Sequence, residues 1–142
     1  MTTQNYKNHR KYVIGYHVIG LLGVLALIIG SIMNLIHTAP ENLYSASLLV
    51  LVSILLLFAF FYLRGFALKA QDRAIRAEEN FRHYLLTKKP LPNDLTMRQI
   101  VGLRFASDEE FPDLVEKAVK DNLSEEAIKK SIKNWKGDYY RA

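Results

Sequence analysis

Residues 12–63 read YVIGYHVIGLLGVLALIIGSIMNLIHTAPENLYSASLLVLVSILLLFAFFYL, and this stretch decides the fold. It contains no Lys or Arg and a single carboxylate, Glu41, whereas the residues after it alternate charged and apolar side chains. The 50% hydrophobic content of the 142-residue chain is therefore an average over two unlike parts. As helices, Tyr12 to about Ile36 and Leu43 to Leu63 would extend roughly 37 Å and 31 Å at 1.5 Å per residue, against a hydrocarbon core of about 30 Å. Both are long enough to cross a membrane. A secretory signal peptide accounts poorly for the first, because its apolar run exceeds a signal core, no small-x-small cleavage pattern closes it, and a second apolar segment follows at once. A buried hairpin in a soluble protein fails because too few other residues remain to cover two such helices on all sides.

Cations near the span ends set the expected orientation. Lys7, Arg10 and Lys11 precede the first span, and Arg64, Lys69, Arg73 and Arg76 follow the second, while the turn between them has neither Lys nor Arg. Both termini are expected on the cytoplasmic side. The chain then divides into a basic N-terminus (1–11), a first transmembrane helix (12–37), an extracytoplasmic turn (38–42), a second transmembrane helix (43–63), a juxtamembrane helix (64–87) and a three-helix cytoplasmic domain (88–142). Residues 64–104 carry nine cations and four anions, and residues 105–142 seven and nine, so the net charge of +5 is concentrated beside the spans. Lipid headgroups, met by Lys7, Arg10, Lys11, Arg64 and Lys69, suit that distribution, and no nucleic-acid partner is implied. The lack of cysteine agrees with a reducing compartment.

The second span has no strong breaker at its end, since only Gly65 interrupts good helix formers up to about Leu86, so one continuous helix is expected. Ala67, Ala70, Ala74 and Ala77 continue into Phe81 and Tyr84 at three- and four-residue spacing. This uncharged stripe is expected to pack against other helices of the cytoplasmic domain or of a second copy. Pro90 and Pro92 end the helix. Three short helices follow, with capping boxes at Thr96/Gln99 and Ser107/Glu110 and an N-cap at Ser124. Their apolar faces run through Met97, Ile100, Val101 and Leu103, then Phe111, Leu114, Val115 and Ala118, then Ile128, Ile132, Trp135 and Tyr139. The expected class is all-α.

Four strings carry a family likeness: Asn5-Tyr-Lys-Asn-His9, Lys69-Ala-Gln-Asp-Arg-Ala-Ile-Arg-Ala-Glu-Glu79, the run from Leu95 to Phe111, and Ile132-Lys-Asn-Trp-Lys-Gly-Asp-Tyr-Tyr-Arg141. On these the chain resembles an uncharacterised family of small bacterial two-span membrane proteins, a domain of unknown function. The resemblance covers nearly the whole chain and supports the architecture, and together with the cation distribution it leads to an expected location in the bacterial cytoplasmic membrane. It brings no activity, cofactor or catalytic residue.

Chemistry is sparse. Glu79 and His83 lie four apart on one helix face, but metal ligation needs three or four converging donors and no second pair has suitable spacing. There is no cysteine, nucleophile elbow or phosphate-cradling glycine loop, so neither catalytic residue, cofactor nor metal is expected. In the first span Tyr16, Gly20, Gly23, Leu27, Gly30, Asn34 and His37 share one stripe. Gly20, Gly23, Gly30 and Asn34 are read as a helix-packing face, since small residues permit close approach and Asn can hydrogen-bond across it. Asp72 with Arg76 and Glu78 with Arg82 have the spacing of surface ion pairs. Arg104, Phe105, Asp108, Glu109, Glu110 and Phe111 combine a cation, two aromatics and three acids at one turn, and are read as a partner-binding surface. The expectation is a non-enzymatic, self-associating membrane scaffold with a possible membrane or cytoplasmic protein partner. The alternative is a homo-oligomeric channel or transport accessory built on the glycine face.

Overall fold

A computed structural model describes residues 4–8 and 12–139. Its helices are a π-helical stretch Gly15–Gly20 leading into α1 (Leu21–His37), a 3-10 turn Pro40–Asn42, α2 (Leu43–Thr87), α3 (Met97–Leu103), α4 (Phe111–Lys120) and α5 (Glu125–Ser131). The expected unbroken helix is present, since α2 runs for 45 residues. Among the described residues the only strand-like pairing is an antiparallel bridge between Ala106 and Trp135, so the chain is all-α. Two helical stretches, Gly15–His37 and Pro40–Thr87, are long and apolar enough to cross a membrane. The chain divides into one unit comprising Lys11–Ala67 and another comprising Met1–Arg10 with Leu68–Ala142.

In the first unit the facing sides of the two helices are small or aromatic at the points of contact. Ser31 and Ser53 are buried and their hydroxyls lie 3.1 Å apart, so one donates across to the other while the second donates to the carbonyl three residues earlier in its own helix. Ala46 is buried at one end of this seam, and at the other Tyr16 stacks on Phe60 and donates to the Phe60 carbonyl. On α2 the sheltered positions of this unit include 46, 50, 53, 57 and 60, spaced four and three as in a coiled-coil seam. On α1 they are 21, 24, 28, 31 and 35. The seam within the chain thus runs one residue away from the expected stripe. Gly20 approaches Phe60, but Gly23 and Gly30 have no neighbour within 4 Å where a Cβ would stand, and Asn34 is exposed. One residue is about 100° of helix rotation, enough to turn those three off the seam.

The second unit has a core of Ile75, Leu91, Leu95, Ile100, Leu103, Ala106, Phe111, Leu114, Val115, Ala118 and Ile128. Thr96 caps α3 with a reciprocal Gln99 box, and Ser124 caps α5. Ser107 does not cap α4: the Glu110 carboxylate reaches back to the Ser107 N–H, while α4 begins at Phe111 after a turn. Helix α2 stops where Lys88 adopts φ 61°, ahead of Pro90 and Pro92, and α4 stops at Asn122 with φ 45°. Gly102 is required by contact: a Cβ there would lie 3.2 Å from the Glu125 carbonyl oxygen and 3.2 Å from Ile128.

Ala70, Ala74 and Ala77 are exposed in this unit, as is Ala67 before it, so within the chain the face of α2 turned to the core is Ile75, Glu79, Arg82 and His83 and the alanine row is left for a second copy. Buried charge is tolerated on that face because it is paired there, as described below. Helix α5 ends at Ser131, before Trp135 and Tyr139. Residues beyond it instead run beside the α3–α4 turn, with the Ser107 N–H donating to the Asn134 carbonyl and the Lys136 N–H to the Phe105 carbonyl.

Candidate functional site

The most concentrated polar chemistry centres on Arg82, whose side chain is only 11% exposed. Its guanidinium contacts Glu79 at 3.1 Å and Asp108 at 2.6 Å, donates to the Ala106 carbonyl at 2.7 Å and stacks 4.3 Å from the centre of the Phe111 ring. One side chain thereby fastens α2 to the turn between α3 and α4. Burial pushes the Glu79 carboxyl above the usual carboxylate range, and the attraction of Arg82 only partly opposes it. One turn on, His83 is buried and its Nδ1–H donates to the Lys89 carbonyl at 2.8 Å, which fixes the chain as it leaves α2. Glu79 and His83 do share a face, but each is held by a different structural partner. No group of three or more potential metal ligands converges among the described residues.

Half of the cluster read as a partner-binding surface is interior. Phe105 and Phe111 are fully buried, and Arg104 is 8% exposed. Trp135 stacks on Phe105 with centroids 4.8 Å apart, while Arg104 lies over the same ring and pairs with Asp138 at 3.1 Å. Asp108 serves Arg82, and the Glu110 carboxylate accepts backbone N–H groups from Ser107, Lys133 and Asn134. Glu109 is fully on the surface, and hydrogen bonding from the Ser107 hydroxyl and its own backbone holds its carboxyl below the usual range. The cation, aromatics and acids are together because they lock the turn to the C-terminal segment. That segment also receives the start of the chain: Gln4 Oε1 accepts the Asp138 N–H at 2.7 Å, Gln4 Nε2 donates to the Asp138 carbonyl, and the Tyr6 hydroxyl donates to Glu126.

Of the expected headgroup cations, Lys7 and Lys69 are exposed and Arg64 is half-buried, while Arg10 and Lys11 lie outside the described residues. The expected surface pairs do not form as read. Arg82 takes Glu79 and Asp108 in place of Glu78, and Arg76 has no ion pair among the described residues. Arg73 and Arg76 instead border an open groove of about 440 Å³ between α2 and residues 90–93. The sequence reading missed it because Asp72 stands at ion-pair spacing from Arg76, and only the prolines hinted at a chain folding back.

Comparison with curated proteins and with solved structures finds no match. The profile of one family, described as a family of unknown function (DUF6526), matches residues 1–142, the full length of the chain, and the protein belongs to that family.

Proposed function

We propose that the protein is a non-enzymatic, membrane-anchored scaffold or interaction module. Two spans hold a helical domain at the cytoplasmic face of the bacterial inner membrane, and copies associate laterally. The observation that carries this reading is the bonding of Gln4 to Asp138 within one folded unit. Residue 4 precedes the first apolar helix and residue 138 follows the second, so their contact supports two crossings with both flanks on one side. The lack of Lys and Arg between the helices supports the same side being cytoplasmic. The polar clusters of the domain are engaged in internal ties, which supports a structural role over catalysis. On α2, Phe81, Tyr84 and Leu85 are half or more exposed beside the alanine row, and this supports protein contact by that face.

Cysteine introduced at Glu41 should react with an impermeant thiol reagent in intact cells, and cysteine at Lys88 should not. Cysteine at Tyr84 should cross-link between copies in membranes. Labelling of Lys88→Cys from outside overturns the topology. A monomer in mild detergent without cross-linking or copurifying protein overturns the scaffold, and ion flux in reconstituted liposomes favours the channel.

A further inference from the structure

Helix α2 presents Arg73, Arg76 and Asn80 toward one groove, and the opposite wall is the loop Pro90–Leu91–Pro92–Asn93. Both arginines are exposed and neither has an ion pair among the described residues. Glu79, close in sequence, is committed to Arg82. The Asn80 side-chain oxygen accepts the Leu91 N–H at 2.9 Å, so the end of that amide left for a ligand is its NH2 donor. Both prolines lack an N–H, and no carboxylate lines the groove. Every charged or polar group that α2 offers there is thus a donor. Like charges three residues apart repel, and an anion between them relieves that repulsion.

We propose that this groove binds a phosphate group carried on a small organic body. Guanidinium forks match phosphate oxygens in pairs, which a single oxygen of a hydroxyl or carbonyl does not exploit. The volume of about 440 Å³ is more than inorganic phosphate fills, and Ala77, Leu91 and Ile100 give the remaining space an apolar lining. A phosphoester with a glycerol-sized or larger substituent fits both parts. The source is a phospholipid headgroup or a soluble phosphoester. Arg73 follows the second apolar stretch by ten residues in the sequence, which makes a lipid source one of the two to test. The site stands on the fold of the domain and does not depend on self-association or on the scaffold reading.

The test uses the full chain, with Trp135 fluorescence following thermal unfolding. In one arm the protein is in nonionic detergent with glycerol 3-phosphate or chloride at matched ionic strength. In the other it is in nanodiscs of phosphatidylcholine alone or mixed with phosphatidylglycerol. A ligand that binds the folded state raises the midpoint by mass action. Arg73→Gln/Arg76→Gln should weaken the apparent affinity about tenfold or more, since two charge-assisted contacts are lost. Lys88→Gln/Lys89→Gln, which removes equal charge outside the groove, should leave it unchanged. Ala77→Phe keeps both arginines but fills the groove, and should abolish the shift even if the double arginine variant folds poorly. A shift in nanodiscs alone assigns a lipid headgroup, and a shift with glycerol 3-phosphate assigns a soluble ligand. Absence of a shift in both arms overturns the proposal, as does a shift that survives Ala77→Phe or that Lys88→Gln/Lys89→Gln removes equally.

Discussion

Replacing Arg82 with Ala should strand a buried carboxylate. The guanidinium holds Glu79 at 3.1 Å, Asp108 at 2.6 Å and the Ala106 carbonyl at 2.7 Å. These partners differ in what their loss costs. Asp108 has a side chain 58% exposed, so water replaces the guanidinium there at little cost. The Ala106 carbonyl belongs to a fully buried residue, and leaving it unpaired costs about 1–3 kcal/mol. Glu79 is 8% exposed, and breaking a buried pair by removing one partner costs about 3–5 kcal/mol. The two overlap, and protonation of Glu79 caps its share, so about 3–5 kcal/mol in all is expected. That is a large part of the roughly 5–15 kcal/mol that holds a domain folded, and it should lower the midpoint by about 12 °C or more. The chain has a single tryptophan, Trp135, stacked on Phe105, so its fluorescence reports unfolding of this domain in the detergent-solubilised protein. Adding Glu79→Gln to Arg82→Ala removes the stranded charge and should recover about half of the loss. A cost below about 1 kcal/mol for Arg82→Ala, or equal stability of the single and double variants, would refute this account.

Acidity probes the same site. Because burial raises the Glu79 pKa, the folded state holds its proton to higher pH than the unfolded chain does, so this group's contribution is fully present below the ordinary value of 4.5 and is lost as pH rises through the raised value. Wild type should therefore gain stability relative to Glu79→Gln on acidification through that window, and parallel midpoint-against-pH curves would contradict the assignment. Gly102→Ala should destabilise by about 1–3 kcal/mol, because its Cβ would crowd the Glu125 carbonyl and Ile128 at 3.2 Å, and an unchanged Trp135 unfolding curve would contradict the close approach of α3 and α5. In the hairpin, Ser31→Ala should cost about 0.6 kcal/mol, whereas Ser31→Leu should separate the helices. Gly23→Leu should leave the pairing intact, read by disulfide formation between cysteines at Gly20 and Phe60, and equal cross-linking in the Ser31→Leu and Gly23→Leu proteins would contradict the seam.

The two apolar helices were legible because they rest on a threshold of length and composition that residues 12–63 exceed on any reading. The face that each helix turns to the other was not. Gly23, Gly30 and Asn34 differ from the seam positions Val24, Ser31 and Leu35 by a single residue, and both sets repeat at three and four. In a soluble helix the charged side settles such a choice, but here both sides are apolar, so periodicity carries no contrast. The serines held the usable signal. Ser31 and Ser53 are small polar residues at depth in both helices, and their hydroxyls meet.

Beyond the hairpin the contrast exists but does not mark the face that packs within the chain. On the distal part of α2 the uncharged row Ala70, Ala74, Ala77 and Phe81 looks like an interior face, yet the core receives Ile75, Glu79, Arg82 and His83. The reason lies outside the helix. Arg82 finds Asp108, the Ala106 carbonyl and the Phe111 ring on a turn that is 24 to 29 residues away in sequence, and His83 finds the Lys89 carbonyl. No local pattern encodes partners at that separation, whereas the caps at Thr96 and Ser124, whose partners are three residues off, were readable in advance. The same distinction explains Trp135, which has helical spacing from Ile128 and Ile132 but lies in the segment paired with the turn at Phe105 and Ser107. Once Arg82 and the C-terminal segment claim the polar face, the alanine row is left uncovered within the chain, which is why an unusually uncharged strip stands exposed on a helix otherwise rich in charge.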